Sequence, residues 1–280
     1  MTLEERAAPR AGWASAPIAR PFGAIEQFMR KTLVIAELEA RKLRHDPTEL
    51  LMRAVQPTLW LLVFGQVFTR IRAIPTGNLR YLDFMAPGIL AQSVLFVAIF
   101  SGMAVIWERD LGIIHKFMAS PTPRTALVLG KALAAGVRSL SQAIIIFILA
   151  WLLGVQLNPN PLALVGMLAV VFLAAACFSS FSLMIACLVK SRERFMGIGQ
   201  VLTMPLFFAS NAIYPIALMP AWLQAISSVN PLTYEVDALR SLMLADVAST
   251  YGIGLDFGVL LLATTALVMA CGRLYPKVVI

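Results

Sequence analysis

The 51 residues from Ser139 to Val189 contain no Asp, Glu, Lys, Arg or His, and no other feature of the chain restricts its fold as much. A helix crossing a bilayer takes about 20 mostly apolar residues. The stretch therefore holds two crossings, and Gln156-Leu157-Asn158-Pro159-Asn160-Pro161 supplies the turn between them. Soluble domains are about 45 to 50% apolar and about 25% charged. This chain is 59% hydrophobic and 14% charged, with mean hydropathy +0.80. A soluble globular fold does not fit, and the unit of description is the membrane helix.

Four further spans are expected. Leu50 to Phe68 is interrupted by Arg53, Gln56, Pro57 and Gln66, whereas Phe84 to Trp107 carries neither Lys, Arg nor Asp before Glu108. Another uncharged run, Phe195 to Tyr234, is divided by Pro205, Pro215, Pro220 and Pro231, which places span five at about Phe195 to Ile216. Span six lies between Asp256 and Arg273. Basic residues flanking spans are retained on the cytoplasmic side. With both termini inside, 19 of the 23 Lys and Arg are cytoplasmic, leaving Arg70, Arg72, Arg80 and Arg240 outside. The expected fold is an all-α integral membrane protein of six transmembrane helices with both termini cytoplasmic, divided into a cytoplasmic segment, residues 1–49, and a six-helix membrane domain over 50–280.

Residues 1–49 show no apolar run resembling a signal-peptide core. From Ile25 to Leu43 the apolar positions recur at helical spacing, with Arg30, Glu37, Arg41 and Arg44 on the other face. Such a basic amphipathic helix lies in the headgroup layer or packs on the protein's own cytosolic face. Asp46-Pro47-Thr48-Glu49 then provides the N-cap, N1 proline and N3 acid of a new helix.

The net charge of +8 is spread through the gaps between spans, so nucleic-acid binding is not expected. Cys177, Cys187 and Cys271 all sit in apolar runs and read as packing residues. His45 and His115 stand near no plausible nucleophile, and the H-E-x-x-H, C-x-x-C, G-x-S-x-G and G-x-x-x-x-G-K-[ST] patterns are all missing. No catalytic, metal or cofactor site is expected on this chain. Spans two to six also lack an interior Asp, Glu, Lys or His of the kind that relays ions. Energy for any transport must therefore enter from outside the bilayer. Polar residues within the spans, among them Gln92, Ser93, Gln142, Gln200 and Asn211, either line a path for an amphiphile or serve helix packing.

Two segments carry more specific information. Between Glu108-Arg109-Asp110-Leu111-Gly112 and Ser120-Pro121-Thr122-Pro123-Arg124, the residues Leu111, Ile114, Phe117 and Met118 form the apolar stripe of a short helix. That stripe either fills a partner's groove or rests on the inner leaflet. After span five, Tyr214-Pro215 leads to a short helix with Trp222, Leu223, Ile226 and Val229 on one face, stopped by Asn230-Pro231. A second helix follows with Val236, Leu239 and Met243 on one side, and the pair is too short to span and reads as re-entrant or interfacial.

The loop from Glu108 to Lys131, with Ser120-Pro121 and Leu129-Gly130-Lys131, resembles the permease subunits of type 2 ABC exporters. So does Asn230-Pro231-Leu232-Thr233-Tyr234-Glu235-Val236-Asp237-Ala238-Leu239-Arg240. The likeness extends over nearly the whole chain, in the branch of daunorubicin-resistance and nodulation lipo-oligosaccharide permeases. It implies a homodimer in a bacterial inner membrane, bound to two copies of a separate ATPase that holds the ATP and Mg. In that setting Glu108, Arg109, Leu111, Ile114, Phe117, Met118 and Arg124 belong to the coupling helix, and the N-terminal amphipathic helix is the connecting helix. Tyr214, Trp222, Asn230, Pro231, Tyr234, Glu235, Asp237 and Arg240 belong to the outer re-entrant segment. The implied cargo is a drug, lipid or lipo-oligosaccharide, with polysaccharide or lipid-linked glycan export as the alternative and an enzyme of lipid metabolism as a distant one.

Overall fold

Two of the three Asn-Pro pairs in the apolar half of the chain, Asn160-Pro161 and Asn230-Pro231, start helices. The Asn160 side chain accepts the N–H of Leu162 at 2.9 Å and Asn230 that of Leu232 at 3.0 Å, while the following proline takes N1, where no donor is needed. The computed structural model describes residues 52, 55–71, 74–77, 79–112, 124–189 and 191–275. The amphipathic helix expected over Ile25 to Leu43, with all of residues 1–49, lies outside them.

A π-helical turn, Trp60–Gly65, runs into α1 (Gln66–Ile71). Then come α2 (Tyr81–Ser101) and α3 (Met103–Asp110), joined at Gly102, and α4 (Arg124–Leu152) and α5 (Pro161–Leu188), which form a hairpin. The chain continues through α6 (Arg192–Phe208), a 3-10 turn at Ile216–Leu218, α7 (Ala221–Val229), α8 (Pro231–Met243) and α9 (Ile253–Leu274). Among the described residues there is no strand, only an isolated bridge between Leu157 and Leu244.

Four helical stretches among the described residues are long and apolar enough to cross a membrane: Tyr81–Asp110, Leu127–Leu152, Pro161–Leu188 and Ile253–Leu274. They coincide with expected spans two, three, four and six. The expected first span is helical from residue 55 to 71. The expected fifth ends at Phe208 instead of Ile216, so α6 has 17 residues. At 1.5 Å per residue that is about 25 Å, against a hydrocarbon core of about 30 Å.

Helix α5 is the hub, packing against α2, α4, α8 and α9. Its small residues, Ala174, Ala175, Ala176, Cys177, Ser179, Ser180 and Ser182, are all buried and let the neighbouring backbones come close. The serine and threonine hydroxyls inside the bundle mostly return to the carbonyl one turn back. Ser93 donates to Ile89 at 2.8 Å, Ser180 to Ala176 at 2.7 Å and Thr264 to Leu260 at 2.7 Å. The hydrogen of each of these three hydroxyls is thereby paired.

The tightest backbone approach is at Gly88 on α2. A Cβ there would stand 2.4 Å from the Ala212 carbonyl oxygen and 2.7 Å from its Cα, both backbone atoms that cannot rotate away. The equivalent atom on Gly258 of α9 would meet nothing within 4 Å. Gly88→Ala is therefore expected to lower the thermal midpoint of the detergent-solubilised protein, in line with an overpacking cost of about 1 to 3 kcal/mol. Gly258→Ala should match or slightly exceed the parent, and equal midpoints for the two variants would contradict the close approach.

Candidate functional site

The chemistry-bearing residues gather at the two ends of the bundle, and each end is built around groups that a helix terminus leaves unpaired. At one end α6 stops beside the buried turn 209–212, and a helix end there needs partners for its last carbonyls. Side chains take them. Asn230 Nδ2 donates to Leu206 O at 2.8 Å, Ser210 Oγ to Phe207 O at 2.7 Å and the Tyr214 hydroxyl to Phe208 O at 2.6 Å. In the turn beyond, Arg240 donates to Asn211 O at 2.7 Å and the Tyr81 hydroxyl to Ile213 O at 3.1 Å. This is why α6 ends before Ile216, and why Asn211, Tyr214, Asn230 and Arg240 act together although 29 residues separate the first from the last.

Helix α8 turns its polar groups into the protein. Glu235 is wholly buried and Asp237 and Arg240 nearly so. The Arg240 guanidinium lies 3.9 Å from the centroid of the Phe84 ring, a cation–π contact made where water is excluded. Asp237 accepts from Ser249 Oγ (2.9 Å), Thr250 N (2.7 Å), Thr250 Oγ1 (2.9 Å) and Tyr251 N (3.1 Å), pinning the loop that leads into α9. Tyr234 and Tyr251 pack ring to ring with centroids 5.2 Å apart. Partial burial, with Tyr234, Asp237 and Asp256 nearby, raises the Tyr251 hydroxyl above its ordinary range, so it stays a donor at neutral pH. On α7, Trp222, Ile226 and Val229 are exposed, an apolar lip at the rim.

At the opposite end the helix carrying Glu108 and Arg109 terminates at Asp110. Leu111 and Gly112 form a turn, with φ +69° at Gly112, so Leu111 is not on the helix with Glu108. Leu111 is 71% exposed. Ile114, Phe117 and Met118 lie outside the described residues, and Arg124 begins α4. Around this turn Lys131 pairs with Glu108, and Arg109 donates to Val189 O at 3.2 Å. Arg192 pairs with Asp110 at 2.8 Å while its guanidinium sits 4.8 Å from the Trp107 ring centroid. Both flanks of the 113–123 segment are thus tied to each other, and one of them to the start of α6. The pairings of Glu108 with Lys131 and of Asp110 with Arg192 are not legible in the sequence, because partners 23 or 82 residues apart leave no local pattern.

Of the polar residues expected along a path, Gln92, Ser93 and Gln142 converge on one cleft, joined by Gln56. Gln200 is exposed on α6, and Asn211 is buried in the turn that Arg240 holds. Among the described residues no three His, Cys, Asp or Glu cluster as metal ligands. The three cysteines are buried and free.

The sequence pattern of the ABC-2 type transporter family matches residues 30–244, taking in the Glu108 end and the α6 to α8 part of the other. The chain belongs to the ABC-2 type transporter family. The permease is 31% identical over 218 residues to a putative transport permease, ycf38, of Cyanophora paradoxa, covering 77% of this chain and 74% of the relative. It is 27% identical over 200 residues to the daunorubicin resistance ABC transporter permease protein DrrB1 of Streptomyces coeruleorubidus, covering 71% and 70%. Nodulation protein J of Rhizobium leguminosarum bv. viciae is 25% identical over 169 residues, covering 60% and 64%. The permease is accordingly a multi-pass membrane protein of a transport family.

Removing the Asp237 carboxylate from the permease leaves the Thr250 and Tyr251 N–H groups without their acceptor. Hydrogen bonds to a charged group are worth about 1.5 to 3 kcal/mol each, and 1.4 kcal/mol is about tenfold in an equilibrium, so Asp237→Ala should open the 245–252 loop at least about tenfold more often. Limited proteolysis of the solubilised protein should show faster cutting in that loop, with exposed Asp246→Asn as the unchanged control. Parent-like resistance in Asp237→Ala would mean that the loop is held by something else.

Proposed function

We propose that this chain is the transmembrane subunit of an ATP-driven exporter that moves an amphiphile, such as a drug, lipid or lipo-oligosaccharide, outward across a bacterial inner membrane. It works as a homodimer with two copies of a separate ABC ATPase. The observation that carries this reading is a family match that spans both tied ends of a bundle with no energy source of its own. There is no nucleotide-binding loop in the sequence, and no Asp, Glu, Lys or His in residues 84–107, 139–189 or 257–272. The daunorubicin resistance permease and nodulation protein J among the relatives support an amphiphilic cargo.

In this reading six segments span the membrane with both termini cytoplasmic, helix 55–71 and α6 being the first and fifth. These two are the least enclosed within the chain, and Leu59, Leu62, Val63, Val67, Val201 and Met204 give them apolar faces to offer a second copy. The Glu108 to Arg124 segment faces the cytosol and receives the ATPase. The Glu108–Lys131 and Asp110–Arg192 pairs carry its displacement into α3, α4 and α6. The α7–α8 segment forms the outer mouth. Its internal hydrogen bonds let it move as one piece with the end of α6.

Reconstitution tests this reading. Liposomes holding the permease alone should neither hydrolyse ATP nor move a fluorescent amphiphile down or against a proton or sodium gradient. Addition of the cognate ABC ATPase with Mg and ATP should start transport. Gradient-driven movement by the permease alone would sink the proposal.

A further inference from the structure

Glu235 is wholly buried on α8, and no hydrogen-bond donor reaches either of its carboxyl oxygens. Leu232 and Leu239, one turn to either side on the same face, are wholly buried as well. Two residues further on, the same helix carries the opposite case. Asp237 is 2% exposed and accepts from Thr250 N, Thr250 Oγ1 and Tyr251 N. An ionised carboxylate taken out of water without donors is very costly, and such a group keeps its proton instead. Complete burial accordingly pushes the Glu235 carboxyl well above the usual carboxylate range.

Helix α8 packs against α5, α9 and α2. The ionisable side chains on those helices are Cys177 and Cys187 of α5, Asp256, Cys271 and Arg273 of α9, and Tyr81 and Asp83 of α2. Cys177 lies close enough to feel the Glu235 charge, and its thiol hydrogen-bonds to Thr264 of α9. Asp83 pairs with Arg80 at 2.8 Å, Asp256 accepts from Ser249 Oγ at 2.9 Å, and the Tyr81 hydroxyl donates to Ile213 O. Cys187, Cys271 and Arg273 sit at the far ends of their helices. On α8 itself Tyr234 donates to Ser228 O, and Arg240 donates to Asn211 O and Phe84 O. In the loop before α9, Tyr251 packs on Tyr234. Glu235 thus stands where α5, α8 and α9 meet, beside the Cys177 thiol, while the acids and the arginine around it are occupied elsewhere. Ser227 with Thr233 and Asn230 with Leu206 O tie α7, α8 and the end of α6 together, so that displacement of this block from α5 admits water to Glu235.

We propose that Glu235 is a proton-binding site at the contact of α8 with α5, filled while the two helices are packed together and emptied when α8 moves away. In that step the Glu235 O–H bond breaks, its electron pair stays on the carboxylate and the proton passes to a water that enters; nothing is oxidised or reduced. Below the ordinary glutamate value of about 4.3 both states hold the proton and packing is at its strongest. Between that value and the raised value of the packed state, only the separated state has released its proton, so each unit rise in pH favours separation by up to about tenfold. The contact is a pH-sensitive latch, tight in acid and looser in alkali. It goes beyond the export reading and does not depend on it; with the α7–α8 segment as the outer mouth, the proton leaves on the outer side and external acid holds the mouth shut.

The full-length chain in nanodiscs, without any ATPase, gives two readouts. In infrared spectra at about pH 7, the carbonyl stretch of a protonated carboxyl should be present in the parent and diminished in Glu235→Gln, which keeps the shape and the neutral state. Hydrogen exchange of peptides covering residues 231–243, corrected for the intrinsic rate at each pH, reads the separation of α8. Protection in the parent should fall between about pH 6.5 and 8.5, by up to about tenfold per unit, and stay level in Glu235→Gln. Asp256→Asn, which removes a carboxyl of α9, should keep the parent's slope. A flat parent profile overturns the proposal whether or not the variants fold. So does an undiminished carboxyl band in Glu235→Gln, or a slope that Glu235→Gln retains or Asp256→Asn removes. Neither readout uses ATP or cargo, so a failure here leaves the export reading standing, and a failure of reconstituted export leaves the proton site standing.

Discussion

A helix that ends inside a packed bundle must have its last carbonyls paired by protein, because apolar side chains offer no donor. The end of α6 meets this constraint with four side chains, from Asn230, Ser210, Tyr214 and Arg240, that receive the carbonyls of Leu206, Phe207, Phe208 and Asn211. Much of that end of the molecule follows from it. Helix α8 buries its polar face since that face supplies Arg240, and Asn230 supplies both the α8 cap and a tie to α6. Arg240 also reaches Phe84, so α2 is gripped at the level where Gly88 lies against Ala212. The α7–α8 segment and the turn after α6 are in effect one block.

The other end uses charge instead of carbonyl capture. Glu108 with Lys131, Asp110 with Arg192, and Arg192 over Trp107 join the last turn of α3 to α4 and α6. These pairs are partly exposed, where an isolated ion pair contributes little to stability. In the proposed function their significance is directional, since they would set which helices move when a partner pushes the segment between Gly112 and Arg124. Between the two ends many hydroxyls close on their own helix, while Ser182 to Ile99 O and Ser101 with Ser179 join α5 to α2.

Most of the helical inventory was legible from residue order. The sequence predicts a turn at 156–161 and a helix stop at Asn230-Pro231, and both are found; the structure adds that Asn160 and Asn230 cap the helices that follow, since asparagine caps and proline tolerates N1. The hairpin turn at 156–160 follows from the same signal. What hydropathy did not disclose is where α6 stops. Pro205 to Pro215 is as apolar as a span, and the stop depends on donors from Tyr81, Asn230 and Arg240, which are distant in sequence. Leu111 was expected on one short helix with Ile114, yet the positive φ of Gly112 places a turn between them. Of five polar residues expected along a path, three converge. Gln200 and Asn211 do not, because helical position alone does not tell which side of a helix another helix will cover.

The Glu108–Lys131 pair is the most exacting point, since it closes the base of the segment assigned to the ATPase. It is open to a charge-swap experiment in the reconstituted complex, reading ATP hydrolysis and transport separately. Glu108→Lys and Lys131→Glu alone place like charges together and should leave ATP hydrolysis running with transport largely lost. The double exchange restores opposite charges and should recover transport. Normal transport in either single variant, or no recovery in the double, would contradict a role for this contact in carrying motion from the ATPase into the bundle.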